Sequence, residues 1–94
     1  DVLVNNAGIV KSGKVTELEV QDRKELMSVD LDGVFYCTRS AMPALIASKG
    51  NIDNDSSVSG MGGDGGMSFY NAAKGAITNF TRALALDHGA DGVR

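Results

Sequence analysis

The chain has no tryptophan and only one cysteine, one proline and one histidine among its 94 residues. Each scarcity removes an explanation. A single thiol, Cys37, cannot close an internal disulfide, so a disulfide-framed secreted scaffold is excluded; a lone cysteine suits a reducing cytoplasm, the expected location. Cys37 reads as helix packing and not as a nucleophile, because the one imidazole, His88, stands far along the chain at a helix end. No apolar run reaches the length of a membrane span, and no signal-peptide pattern opens the sequence. A net charge of −3 gives no reason to expect nucleic acid or an anionic membrane as partner. A calcium-loop template can be laid over Asp53, Asp55, Ser57 and Asp64, but its glycine and closing glutamate are replaced by Val58 and Asp64, and no metal site is assigned.

What is present is concentrated in one segment, Tyr70-Asn71-Ala72-Ala73-Lys74, with Ser57 upstream of it. On a helix, residues four apart share a face one turn apart, so the spacing sets an ammonium beside a phenol. A free phenol is a poor acid or base near neutrality, and a neighbouring cation favours its ionised form. Such a phenol exchanges a proton with a reacting oxygen, and Ser57, delivered from a strand end, can hydrogen-bond the same oxygen. Taken alone, the pattern also fits an ordinary helix with a half-buried tyrosine and a solvated lysine.

The chain opens on Asp1-Val2-Leu3-Val4 followed by Asn5-Asn6-Ala7-Gly8. An apolar run ended by Asn and Gly reads as a buried parallel strand stopping at a tight turn. The remaining periodicity gives a β-α-β-α order: a strand over Val2 to Asn5, helix from Glu17 to Ile46 in two pieces, a strand over Asn51 to Ser56, and a helix from Ser68 to Asp87 stopped by Gly89. Pro43 is expected to kink or break the long helix. Two parallel strands joined by a helix require a right-handed crossover. Asp53 and Asp55, two carboxylates on one face of a strand normally covered on both faces, predict a distorted second strand. The segment Gly60-Met61-Gly62-Gly63-Asp64-Gly65 fits the glycine fingerprint of dinucleotide-binding turns, yet the excursion from Ser57 to Tyr70 is too long for a strand feeding directly into a helix. It reads instead as a loop, with Met61, Met67 and Phe69 available as an apolar wall.

Taken together, Asn5-Asn6-Ala7-Gly8, Ser57 and Tyr70 with Lys74, in this order and spacing, resemble the classical branch of the short-chain dehydrogenase/reductase family. Flanking text such as Leu31-Asp32-Gly33-Val34-Phe35 and Leu84-Ala85-Leu86-Asp87 extends the likeness over essentially the whole chain. The resemblance implies an α/β fold with a Rossmann-type parallel sheet in a three-layer sandwich, residues 1–94 being the central part of one domain. Members are well over twice as long, so the pyrophosphate-binding glycine turn and the residue choosing NAD or NADP would lie upstream, and the closing substrate segment downstream.

Roles follow from the resemblance. Tyr70 would be the general acid/base; Lys74 would favour its ionised form and hold the nicotinamide ribose; Ser57 would orient the substrate oxygen; Asn5, Ala7 and Gly8 would lie along NAD or NADP. The family's catalytic tetrad has an Asn in its long helix, and this chain has Asp30 there, a fourth candidate catalytic residue beside Ser57, Tyr70 and Lys74; a carboxylate accepts hydrogen bonds only unless protonated, so the change implies either a disturbed water chain to the lysine or a mere loss of catalytic efficiency. The substrate would be a small alcohol or ketone, and the text from Gly62 to Phe69 resembles acetoin, diol and cyclic-alcohol dehydrogenases. The two long helices would form a homodimer or homotetramer interface, with Ala73, Gly75 and Ala76 allowing close contact. The alternative is that 94 residues by themselves form an inactive piece that only associates through those helices.

Overall fold

The computed structural model describes residues 1–57, 63 and 65–94. Strand β1 spans Val2–Asn5, helix α1 Val20–Met27, α2 Gly33–Ser48, β2 Asn51–Asn54 and α3 Ser68–His88. The two strands pair in parallel, Val2 opposite Asn51 through Asn5 opposite Asn54. This is the β-α-β-α order expected from the hydrophobic periodicity, with α2 and α3 each ending within two residues of expectation.

Between α1 and α2 the chain takes a π-helical turn over Ser28–Asp32. The long helical segment is thus divided here and not at Pro43. Pro43 lies inside an unbroken α2, exposed, between the buried Met42 and the buried Leu45. Packing on both sides outweighs the one backbone hydrogen bond that proline removes. The first helix also starts three residues later than expected, because the Glu17 side chain accepts a hydrogen bond from the Lys14 amide at 3.0 Å and closes a turn there.

The main core joins Met42 and Leu45 of α2 to Val93, with Leu3, Ile52 and Leu84 packed against them. A second buried group, Leu26 of α1 with Ala73 and Ile77 of α3, lies where those two helices pack. Ala73 is therefore taken up inside the chain and does not belong to an outward contact face. The expected buried character of β1 holds for one face only: Val2 and Val4 are 63% and 55% exposed, whereas Leu3 and Asn5 face inward.

Strand β2 is regular. Asp53 sits on its exposed side, and Asp55 lies beyond the strand end, also exposed. Neither carboxylate meets a covered face, so the expected distortion does not occur; the strand is two residues shorter than expected because its partner stops at Asn5, whose carbonyl accepts the Asp55 amide. At the other end, α2 closes on Lys49 in the left-handed conformation, and the Gly50 amide bonds the Leu45 carbonyl at 2.9 Å. Helix α3 ends at His88, with Gly89 following it as expected. Gly89 keeps helical dihedrals and leads into a 3-10 turn over Gly89–Asp91, and the reversal comes at Gly92, with φ of 80°. Beyond it, Arg94 exchanges hydrogen bonds with Gly50 and Ile52, along the side of β2 away from β1. No helix among the described residues is long and apolar enough to cross a membrane.

Candidate active site

Four pieces of chain converge at the carboxyl ends of the two strands. The first is the turn leaving β1, where Asn6, Ala7 and Gly8 are all exposed. A side-chain carbon added at Gly8 would lie 3.5 Å from both Asp30 Oδ1 and Lys74 Nζ. Two polar groups from different helical segments thus meet over Gly8, at ordinary contact distance from an added carbon. Beside it, Asn5, Ala7, Val29 and Gly33 line a hollow of about 150 Å³.

The second piece is the π-helical turn. Its extra residue re-aims the side chains on it, a device frequent at functional sites. Asp30 is only 1% exposed. Its Oδ1 accepts the Ile9 amide at 2.7 Å, and its Oδ2 is buried with no partner among the described residues. Asp30 therefore holds the turn after β1 directly. In a longer chain containing this segment, Asp30→Ala is expected to strand the Ile9 amide and cost about 1–3 kcal/mol of stability, whereas Asp30→Asn keeps the acceptor and costs less. Urea melts of the three proteins check this, equal losses in both variants being the contrary result.

The third piece is α3. Lys74 is buried at 7% exposure, its Nζ 5.8 Å from the Tyr70 ring centre and 3.5 Å from the Asp55 carbonyl oxygen. The solvated lysine of an ordinary amphipathic helix is not what the chain builds. Burying an ammonium is costly unless polar partners surround it. Here it is held among a tyrosine ring, a backbone carbonyl and the Gly8 backbone.

The fourth piece is the exit from β2. Ser57 is partly buried and lines, with Ser56, Thr78 and Arg82, an open depression of about 410 Å³. Thus Gly8, Asp30, Tyr70 and Lys74 form one group, and Ser57 follows the Asp55 carbonyl that Lys74 touches. Asn5 also lines the hollow beside Gly8. It is buried, and its Nδ2 donates to Asn54 Oδ1 at 2.7 Å and Thr38 Oγ1 at 3.3 Å, tying the two strand ends to α2.

A side wall is built by the segment after Ile9. Gly13 forms an isolated parallel bridge with Met67 and donates its amide to the Gly66 carbonyl. Lys11 reaches Glu25 at 3.3 Å and Asp22 at 3.4 Å on α1. Hydrogen bonds to Glu25, then to Asp22, hold the Lys11 ammonium above the usual lysine range, so this tether is complete at neutral pH. Arg23 lies 5.9 Å from the Phe69 ring centre, and Met67 is half-buried in the same wall. Met61 and most of the glycine segment Gly60 to Gly65, including Asp64, lie outside the described residues. Cys37 is exposed and not packed between helices. Among the described residues, no three of His, Cys, Asp and Glu cluster as metal ligands.

Sequence patterns did not disclose the polar joints behind this site. Asn54 Nδ2 donates to Thr81 Oγ1 at 3.1 Å, and Ser56 Oγ lies 2.9 Å from Thr78 Oγ1. The only advance signal was the spacing of Lys74, Thr78 and Thr81 along one stripe of α3.

The family model described as short chain dehydrogenase matches residues 1–94. The meso-2,3-butanediol dehydrogenase of Serratia marcescens is 54% identical over 94 residues, covering 100% of this chain and 38% of that protein. Among solved structures, 4-hydroxyisoleucine dehydrogenase complexed with NADH superposes with a TM-score of 0.92 at 31% identity, covering 100% of this chain and 42% of the other. ElxO with NADP bound superposes at 0.95 and 31% identity, with 100% and 39% covered. The chain thus spans well under half the length of these relatives. The family match runs from Asp1 to Arg94, and the chain belongs to the short-chain dehydrogenase family.

Proposed function

We propose that this chain carries the proton-handling part of an NAD(P)-dependent enzyme that interconverts a secondary alcohol and a ketone. The observation carrying the proposal is the buried Lys74, with its ammonium set against the Tyr70 ring and over Gly8. In the oxidation direction the Tyr70 phenolic oxygen takes the proton of the substrate hydroxyl; in reduction it returns that proton to the carbonyl oxygen. Ser57 donates a hydrogen bond to the same oxygen and fixes its orientation. Lys74 supplies positive charge beside Tyr70 throughout.

The residues present fit a nicotinamide dinucleotide. Gly8 leaves the backbone at the end of β1 open to close approach, and parallel sheets bind ligands at this end of their strands. Lys74 Nζ has one long hydrogen bond, to Asp55, and retains hydrogens for ribose hydroxyls. When bound, the dinucleotide accepts or provides the hydride, chemistry that no side chain here supplies. Asn5 contributes by holding the strand ends in register, and Ala7 and Gly8 by their exposed backbone.

The relatives named above act on a diol and on a hydroxylated amino acid, which supports a small hydroxylated substrate and puts 2,3-butanediol first in a panel. Association through α2 and α3 into a homodimer or homotetramer is proposed for the whole protein, with exposed Phe35 and Tyr36 on the outer side of α2 in support. The test is nicotinamide absorbance with the whole protein, NAD and NADP, and a panel of vicinal diols and simple secondary alcohols. Turnover of at least one alcohol is expected; none with either nucleotide overturns the proposal.

A further inference from the structure

The exit from β2 is stitched to α3 by a regular ladder. Lys74 Nζ reaches the Asp55 carbonyl at 3.5 Å, Ser56 Oγ donates to the Lys74 carbonyl at 3.1 Å, and Asn54 Nδ2 donates to Thr81 Oγ1 at 3.1 Å. Thr78 Oγ1 also donates to the Lys74 carbonyl at 3.1 Å while lying 2.9 Å from Ser56 Oγ. Three oxygens therefore form a triangle served by two hydroxyl hydrogens, one of which is shared. The Lys74 carbonyl, which already accepts the helical amide four residues on, is clamped from the strand side and from its own helix.

The placement of this triangle is specific. Ser56 precedes Ser57 by one residue, and Lys74 lies one turn from Tyr70. The clamp links the strand exit carrying Ser57 to the helix carrying Tyr70 and Lys74. Nothing in it touches the hollow beside Gly8. Ser56 is exposed and Thr78 partly buried, so neither hydroxyl is needed to fill the core.

We propose that Ser56 and Thr78 are positioning residues for the reaction: they fix the register of Ser57 against Tyr70 through the Lys74 carbonyl. The inference rests on the function proposed above. Misplacing reacting groups by about 1 Å costs up to roughly 100-fold in rate, so a loosened clamp lowers turnover without removing a reacting group.

The test is steady-state kinetics of the whole enzyme bearing Ser56→Ala, Thr78→Val, both together, and Thr78→Ser. Each single loss of hydroxyl is expected to lower kcat by about 10-fold, within the positioning range, and to leave the nucleotide KM within about two-fold. The double variant is expected to be no slower than the slower single one, since both act on one triangle. Thr78→Ser retains the hydroxyl and restores kcat. A merely structural role predicts a lower melting temperature with kcat per folded molecule unchanged. That result, a loss confined to nucleotide KM, multiplied losses in the double variant, or failure of Thr78→Ser to rescue overturns the proposal. Should Thr78→Val not fold, kcat of the conservative surface variant Ser56→Ala decides. Tyr70→Phe is measured alongside. If it stays active, the proposed function itself fails; if it is dead while Ser56→Ala is fully active, only the clamp fails.

Discussion

Tyr70→Phe in the whole enzyme is expected to lower kcat by on the order of 10²–10⁴-fold, the contribution of a positioned acid/base group. The substitution removes one oxygen and leaves the ring. Lys74 Nζ keeps its aromatic neighbour at 5.8 Å and its bond to the Asp55 carbonyl, and α3 retains its packing. Nucleotide affinity, read by fluorescence titration, is therefore expected to stay within about two-fold of the parent, because uniform binding contacts are untouched. Lys74→Met offers the contrast. It takes away a buried charge that serves both Tyr70 and the ribose, so turnover and nucleotide affinity fall together. A Tyr70→Phe enzyme within a few-fold of the parent would assign the proton to another group.

The largest expected loss of stability comes from Gly50→Ala. A methyl group at Gly50 would collide with the Asp1 carbonyl oxygen and stand 2.9 Å from Leu45 Cδ2. The first obstacle is backbone, and it is the same carbonyl that accepts the Asn51 amide at 2.9 Å. The strand pair must therefore open to make room. Overpacking of this kind costs about 3 kcal/mol, the upper part of its usual range. Gly89→Ala is the control: φ is −59°, no atom lies within 4 Å of the added carbon, and a change within about 0.5 kcal/mol of zero is expected, slightly stabilising by restricting the unfolded chain. Chemical denaturation of both variants in the whole protein checks the pair. Equal midpoints would mean that the start of β2 yields more readily than its contacts imply.

The sequence exposed the strands and helices because each has a simple period, and it exposed Tyr70 and Lys74 because four residues make one helical turn. Other features have no period. The π-helical turn adds a residue to a helix whose hydrophobic spacing tolerates the shift, so Val29 and Val34 remain plausible on either side of it. Asp30 was legible as a departure from a family pattern, but its grip on the Ile9 amide depends on where residues 6–9 fold, which periodicity does not encode. Asn5, Asn54 and Ser56 look like turn formers; their actual work is side-chain bonding between elements as distant in sequence as β1 and β2. Asp53 reads as a misfit only for a strand covered on both faces, and the face it occupies is open. Cys37 shows that an apolar-looking position on a long helix need not point inward. At Pro43 the local rule yields to the flanking Met42 and Leu45 anchors.

Arg94 lies against one side of β2 while Asp1 lies against the other, and the Asn51 and Ile52 amides are bonded to opposite neighbours at 2.9 and 2.6 Å. The start of β2 is thus hydrogen-bonded on both sides. Its protons can be freed only by parting both flanks, one of which follows the whole of α3 in chain order. Hydrogen exchange should accordingly rank these two amides among the slowest, and only once residue 94 is in place. The sheet closes late, on a contact spanning 42 positions from Ile52 to Arg94, and during synthesis the open flank is the interval in which chaperones or other nascent chains have access to it.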